Sequence, residues 1–130
     1  MSDVVELTLP VKADLVVLAR LTAATIASRA NFDIEEIEDL RLAVDELCVT
    51  LVGDRTDGRM TLRFTRAEDQ IEVVGTFQPA SEATSPALVH PADGLSERIL
   101  DALVDDHGFD DARDGQPRAW LRKRRDRQQA

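Results

Sequence analysis

Apolar and polar positions alternate from the start of the chain. Val4, Val5, Leu7 and Leu9 are interleaved with Glu6 and Thr8 ahead of Pro10, which predicts a first strand. From about Ala13 to Arg29 the spacing lengthens to that of a helix. Leu15, Leu18, Ala19, Thr22 and Ile26 share one face, and Val17, Leu21 and Ala24 make a second apolar side. Asn31-Phe32-Asp33 breaks this pattern, and Asp33 followed by Glu36 is an aspartate form of the capping box. A second helix is therefore expected from about Ile34 to Val52. Its stripe of Ile37, Leu40, Val44, Leu47, Cys48 and Leu51 keeps the 3.6-residue period expected of a core face. Leu42 and Val49 lie well away from that stripe, so the helix is expected to be wedged between two layers.

Gly53 to Gly58 is turn chemistry. Met60, Leu62 and Phe64 then alternate with polar neighbours, and Ala67-Glu68-Asp69 turns the chain into Ile71-Glu72-Val73-Val74, which predicts a hairpin. Gln78 to Asp93 contains Pro79, Pro86 and Pro91 among small residues and reads as a long loop of functional or mobile character. A third helix is expected from Gly94-Leu95 to about Asp106, with Leu95, Ile99, Ala102 and Leu103 inward and Gly108 ending it. After an acidic loop, Ala119-Trp120-Leu121 reads as a last edge strand. Strands and helices in this order predict an α+β fold, a two-layer sandwich in one domain spanning 1–130, with a basic tail at 122–130.

At 130 residues the chain suits one domain with a core of its own, and 43% apolar with 32% charged residues excludes wholesale disorder. No apolar run is long enough to span a bilayer, and the acidic start does not resemble a signal peptide, so a cytoplasmic setting is expected. Cys48 is the single cysteine, which excludes an intramolecular disulfide and a multi-cysteine zinc site. Its place in the core stripe marks it as a small buried hydrophobe. The net charge is −9, yet the stretch Arg118 to Arg127 carries six bases and one acid, leaving 24 acids against 10 bases before it. Such a body repels a phosphate backbone, so no direct nucleic-acid partner is expected. The basic end reads as a solvated, charge-balancing segment.

No Walker A loop, GxGxxG, GxSxG or HExxH occurs. The arrangement with chemical potential is Asp45-Glu46-Leu47-Cys48-Val49-Thr50, where Glu46 and Thr50 share a helix face beside Ala43 and Leu42. A carboxylate among apolar neighbours can serve as a general base, but on spacing alone a lone helical glutamate is far more often a solvated surface group.

The segment Asp39 to Cys48 (DLRLAVDELC) is similar to the N-box of the RsbW/SpoIIAB anti-sigma factors of the GHKL ATPase superfamily. The resemblance continues in Gly94 to Leu103, similar to the glycine-box helix after the ATP lid, and in Ala119 to Lys123, similar to the closing strand. It implies a Bergerat-type sandwich with a mixed, mostly antiparallel sheet and three helices on one face, the loop at 78–93 being lid-like. It places Glu46 as the catalytic base. Thr50 stands where the family has a magnesium-coordinating asparagine, and Gly75, Gly94, Leu95 and Ser96 fall at cofactor-binding positions. The family's Asp-x-Gly-x-Gly segment corresponds to Val73 to Gln78, which has no aspartate, and Ser96 replaces a second glycine. These departures resemble an actinobacterial subset with worn nucleotide boxes.

The resemblance implies a protein that holds a sigma factor inactive and releases it by partner switching with an anti-anti-sigma factor. ATP and magnesium would then bind weakly or not at all. The alternative is an active ATP-dependent serine kinase that phosphorylates the anti-anti-sigma factor. The family also implies a homodimer.

Overall fold

The computed structural model describes residues 3–80, 94–111 and 115–126. Strand β1 is Asp3–Pro10, and a 3-10 turn at Ala13–Leu15 leads into helix α1, Val16–Arg29. Helix α2 is Ile34–Val52, followed by the hairpin of β2, Arg59–Ala67, and β3, Gln70–Gln78. Helix α3, Leu95–Leu103, precedes β4, Asp106–Asp111, and β5, Pro117–Arg124. The five strands form one sheet in the order β1-β2-β3-β5-β4. Every pairing is antiparallel, so the sheet is not the mixed one expected, while the α+β two-layer sandwich stands.

Alternation decides which sheet face is covered. Met60, Leu62 and Phe64 of β2, Ile71, Val73 and Phe77 of β3, and Ala119 and Leu121 of β5 are buried. They meet Leu40, Val44, Leu47 and Leu51 of α2 in one core. The opposite face is polar, with Arg122 paired to Glu72 at 3.0 Å and Arg118 to Asp110 at 3.2 Å. A sheet that packs on one face and meets water on the other is ordinary for antiparallel strands.

Helix α2 begins where the capping box predicts. The Asp33 carboxylate accepts from the Glu36 N–H, and Glu36 Oε1 accepts from the Asp33 N–H, both at 2.8 Å. Glu36 Oε2 also accepts from the backbone N–H of Asp126, so the later chain is fastened to the start of α2.

Several expectations change. Leu42 and Val49 are 54% and 60% exposed, so α2 is not wedged between layers: its far side faces outward. In α1 the buried face is Ala19, Ala23, Ile26 and Ala27, whereas Leu18 is exposed; the small side chains meet α2 and turn the leucines outward. Helix α3 stops at Leu103 instead of running to Asp106, and buries Ser96 and Leu100 while Leu95 and Ala102 are exposed. Lys123, itself buried, reaches back from β5 to cap it, its Nζ donating to the Leu103 carbonyl at 2.8 Å. The segment read as an acidic loop contains β4, and β5 is an interior strand, not an edge. Gly108 sits within β4 because a Cβ there would come within 2.7 Å of the Trp120 ring, which lies across it from β5. Residues 81–93, the bulk of the lid-like loop, and 127–130 of the tail lie outside the described residues.

Candidate functional site

Between α2, α3 and the β4–β5 pair lies a cavity of about 260 Å³. Helix α2 contributes Leu47 and Thr50, α3 contributes Ser96 and Leu100, and Gly94, just before α3, also lines it. Gly94 is the N-cap of α3 with φ 68°, a left-handed conformation that a side chain would strain. The Ser96 hydroxyl donates to Glu46 Oε2, so the candidate base is bound to the first turn of α3, while Glu46 itself lines the cleft on the other flank of α2 and not this cavity. Four positions singled out in sequence, Glu46, Thr50, Gly94 and Ser96, are thus brought together. Leu95 is adjacent and exposed.

Gly75 is not among them. It lies inside β3 opposite Leu62 and Ala119. A Cβ there would meet the Cδ2 atoms of Leu62, Leu47 and Leu51 at 2.9, 3.0 and 3.0 Å. The missing side chain lets α2 settle on β3, and the residue does not line the cavity. Two residues on, Phe77 is buried in the core and carries the Arg55 guanidinium 4.5 Å from its ring centroid.

Sequence reasoning missed the β4 side of the cavity, where His107 and Phe109 contribute to the wall with Trp120. The signal was the period-two placement of His107 and Phe109 about Gly108. Asp101 of α3 and His107 meet at 2.7 Å between Oδ1 and Nε2, tying α3 to β4.

Among the described residues, those lining the cavity offer few groups suited to a magnesium triphosphate. Among the described residues the cavity lining contains no lysine or arginine, and between Gln78 and Leu103 the sequence has one, Arg98, on the exposed side of α3. Thr50 offers one short hydroxyl where magnesium demands near-ideal octahedral oxygen geometry. That Oγ1 is buried and has no hydrogen-bond partner among the described residues.

On the other flank of α2 a wider cleft of about 700 Å³ runs between α1 and the end of α2. Arg20 and Asp45 are paired across it at 3.2 Å, and Cys48 forms part of its floor. Burial, aided by the Asp45 charge, pushes the Cys48 thiol up to about 12. Such a thiol is inert, as its core position predicts.

No family model matches the chain. Individual relatives do. The chain is 34% identical over 109 residues to "Serine-protein kinase RsbW" of Bacillus pumilus (strain SAFR-032), covering 73% of this chain and 67% of the relative. It is 36% identical over 123 residues to the protein of that name from Bacillus licheniformis, covering 81% and 76%. The chain belongs to the RsbW family. A further RsbW, from Bacillus cereus (strain B4264), is 29% identical over 118 residues, 78% of this chain and 74% of that protein. Among the described residues of this RsbW-type chain, no helix is long and apolar enough to cross a membrane.

Proposed function

We propose that this chain is a cytoplasmic anti-sigma factor that works by binding, with a degenerate nucleotide site, and that an anti-anti-sigma protein releases its sigma factor by partner switching. The observation that carries the reading is the cavity itself. It gathers Thr50, Gly94 and Ser96, with Glu46 held to Ser96 from beside it, yet among the described residues its lining has no lysine or arginine to meet phosphates. ATP and magnesium would bind there weakly. The acidic body suits a basic segment of a sigma factor, since complementary charge speeds encounter and disfavours wrong partners. A homodimer belongs to the same reading, supported by the exposed Val4 and Val5 of the outermost strand β1 and Leu18 and Leu21 of α1.

The test is a pull-down with the tagged chain at low salt, followed by calorimetric titration with magnesium-ATP. Recovery of a sigma subunit together with weak nucleotide binding is the expected result; recovery of none defeats the reading. The name of the relatives favours a second reading, an active serine kinase with Glu46 as base. Micromolar ATP binding with transfer to a partner serine, abolished by Glu46→Ala, would establish it.

A further inference from the structure

We propose that the cleft between α1 and the end of α2 is a binding site for an aliphatic carboxylate, a molecule with one anionic head and a short alkyl chain. It lies on the other flank of α2 from the cavity beside α3, and it stands or falls independently of the function proposed above. At about 700 Å³ the cleft has the usual size of a small-ligand site. Its apolar wall is aliphatic, made by Val16 of α1, Val49 and Val52 of α2 and Met60 of β2, with Cys48 in the floor. Among the described residues no aromatic ring lines it, so it offers contact to an alkyl chain and no stacking surface.

Charge decides the head group. Among the described residues Lys12, Arg20 and Arg55 line the cleft against Asp45 and Glu46, an excess of one positive charge in a chain whose net charge is −9. Both acids are already engaged, Asp45 by Arg20 at 3.2 Å and Glu46 by the Ser96 hydroxyl. The charges are also sorted along the cleft. The Val11 N–H donates to the Gly58 carbonyl at 3.0 Å, which brings Lys12 to the turn that carries Arg55 and Thr56. The Arg55 guanidinium is held 4.5 Å from the Phe77 ring centroid. Asp45 and its partner Arg20 stand at the far end, since α2 rises about 10 Å between Asp45 and Val52. The carbonyls of Val49 and Val52, at the negative end of α2, are met by the N–H groups of Gly53 and Arg55, so they oppose an anion less. A carboxylate at the Lys12 and Arg55 end balances the excess charge, and its chain lies along Val16, Val49 and Val52.

The experiment titrates octanoate, octanol and octylammonium, each below its micelle concentration, into the wild-type chain by calorimetry, with backbone amides followed by NMR. Octanoate should bind saturably and most tightly of the three, and should shift the amides of Ala13, Val49 and Gly53, which line the cleft. Lys12→Glu, a change at an exposed side chain, should weaken octanoate about fivefold and leave octanol unchanged, the scale of removing and reversing one exposed ion pair. Val49→Asp should weaken octanoate and octanol together, because it sets a charge on the aliphatic wall; the position is 60% exposed, so the fold tolerates it. Both variants are checked for cooperative thermal unfolding, and Arg55→Gln, which should weaken octanoate and spare octanol, replaces either one that fails. Octanol or octylammonium binding as tightly as octanoate overturns the proposal. So do an unchanged octanoate affinity in Lys12→Glu, amide shifts confined to other parts of the chain, and the absence of saturable octanoate binding.

Discussion

A single methyl group separates two roles for Gly75. By resemblance it belongs to a nucleotide box, but in β3 its missing side chain is the space that Leu47, Leu51 and Leu62 fill. Gly75→Ala should therefore lower stability by about 1–3 kcal/mol, the usual cost of overpacking, in urea unfolding. An unchanged midpoint would show that the leucines yield freely. Cys48 gives a second residue-scale test. With the folded thiol raised to about 12 from 9.0, the unfolded chain loses its proton first as pH rises. Stability is unaffected by this group below pH 9.0 and falls between there and about 12, by at most ~1.4 kcal/mol per pH unit. The difference in urea midpoint between wild type and Cys48→Ala, followed across that window, should shrink or reverse as pH rises; a constant difference counts against the burial.

Helix α2 shows what an element reveals in advance and what it hides. Its bounds, capping box and core stripe were legible because Asp33, Glu36 and the leucines act within one helix and its own periodicity. The outward position of Leu42 and Val49 was not, since pattern shows that a face is apolar and says nothing of whether a layer covers it. Leu42→Ser and Val49→Ser should each change stability by less than about 0.5 kcal/mol, whereas Leu47→Ala should cost about 2–5 kcal/mol by chemical denaturation. A large loss from either serine variant would mean that the face is covered in solution. Strand β4 was hidden for another reason. Asp106-His107-Gly108-Phe109-Asp110 has poor strand propensity, and its pairing with β5 and the ring of Trp120 decide its conformation. With β4 unseen, the wall formed by His107 and Phe109 was unseen too. Glu46 and Thr50 were legible as neighbours on one helix, but the approach of Ser96 across the fold was not.

Across the whole molecule, charge is arranged by segment. The arginines of β5 lie on the open sheet face, where Arg122 meets both Glu72 and Asp106. They are thus partly neutralised within the sheet, and the rest of the body keeps its acidic excess. Association with the proposed sigma partner should slow at least tenfold between about 50 and 500 mM salt, as expected for electrostatically steered encounter. Stopped-flow rates flat across that range would place recognition on apolar contacts instead. The position of β5 has a consequence in time. It follows every other strand in chain order yet lies between β3 and β4, with Gly75 paired to Ala119. During synthesis, at about 5–20 residues per second, β1, β2 and β3 emerge together, but the edge of β3 waits unpaired until Pro117–Arg124 arrives. A nascent chain stalled before Pro117 should stay protease-sensitive and require a chaperone to remain dispersed, because its exposed β3 edge offers a template to any passing strand.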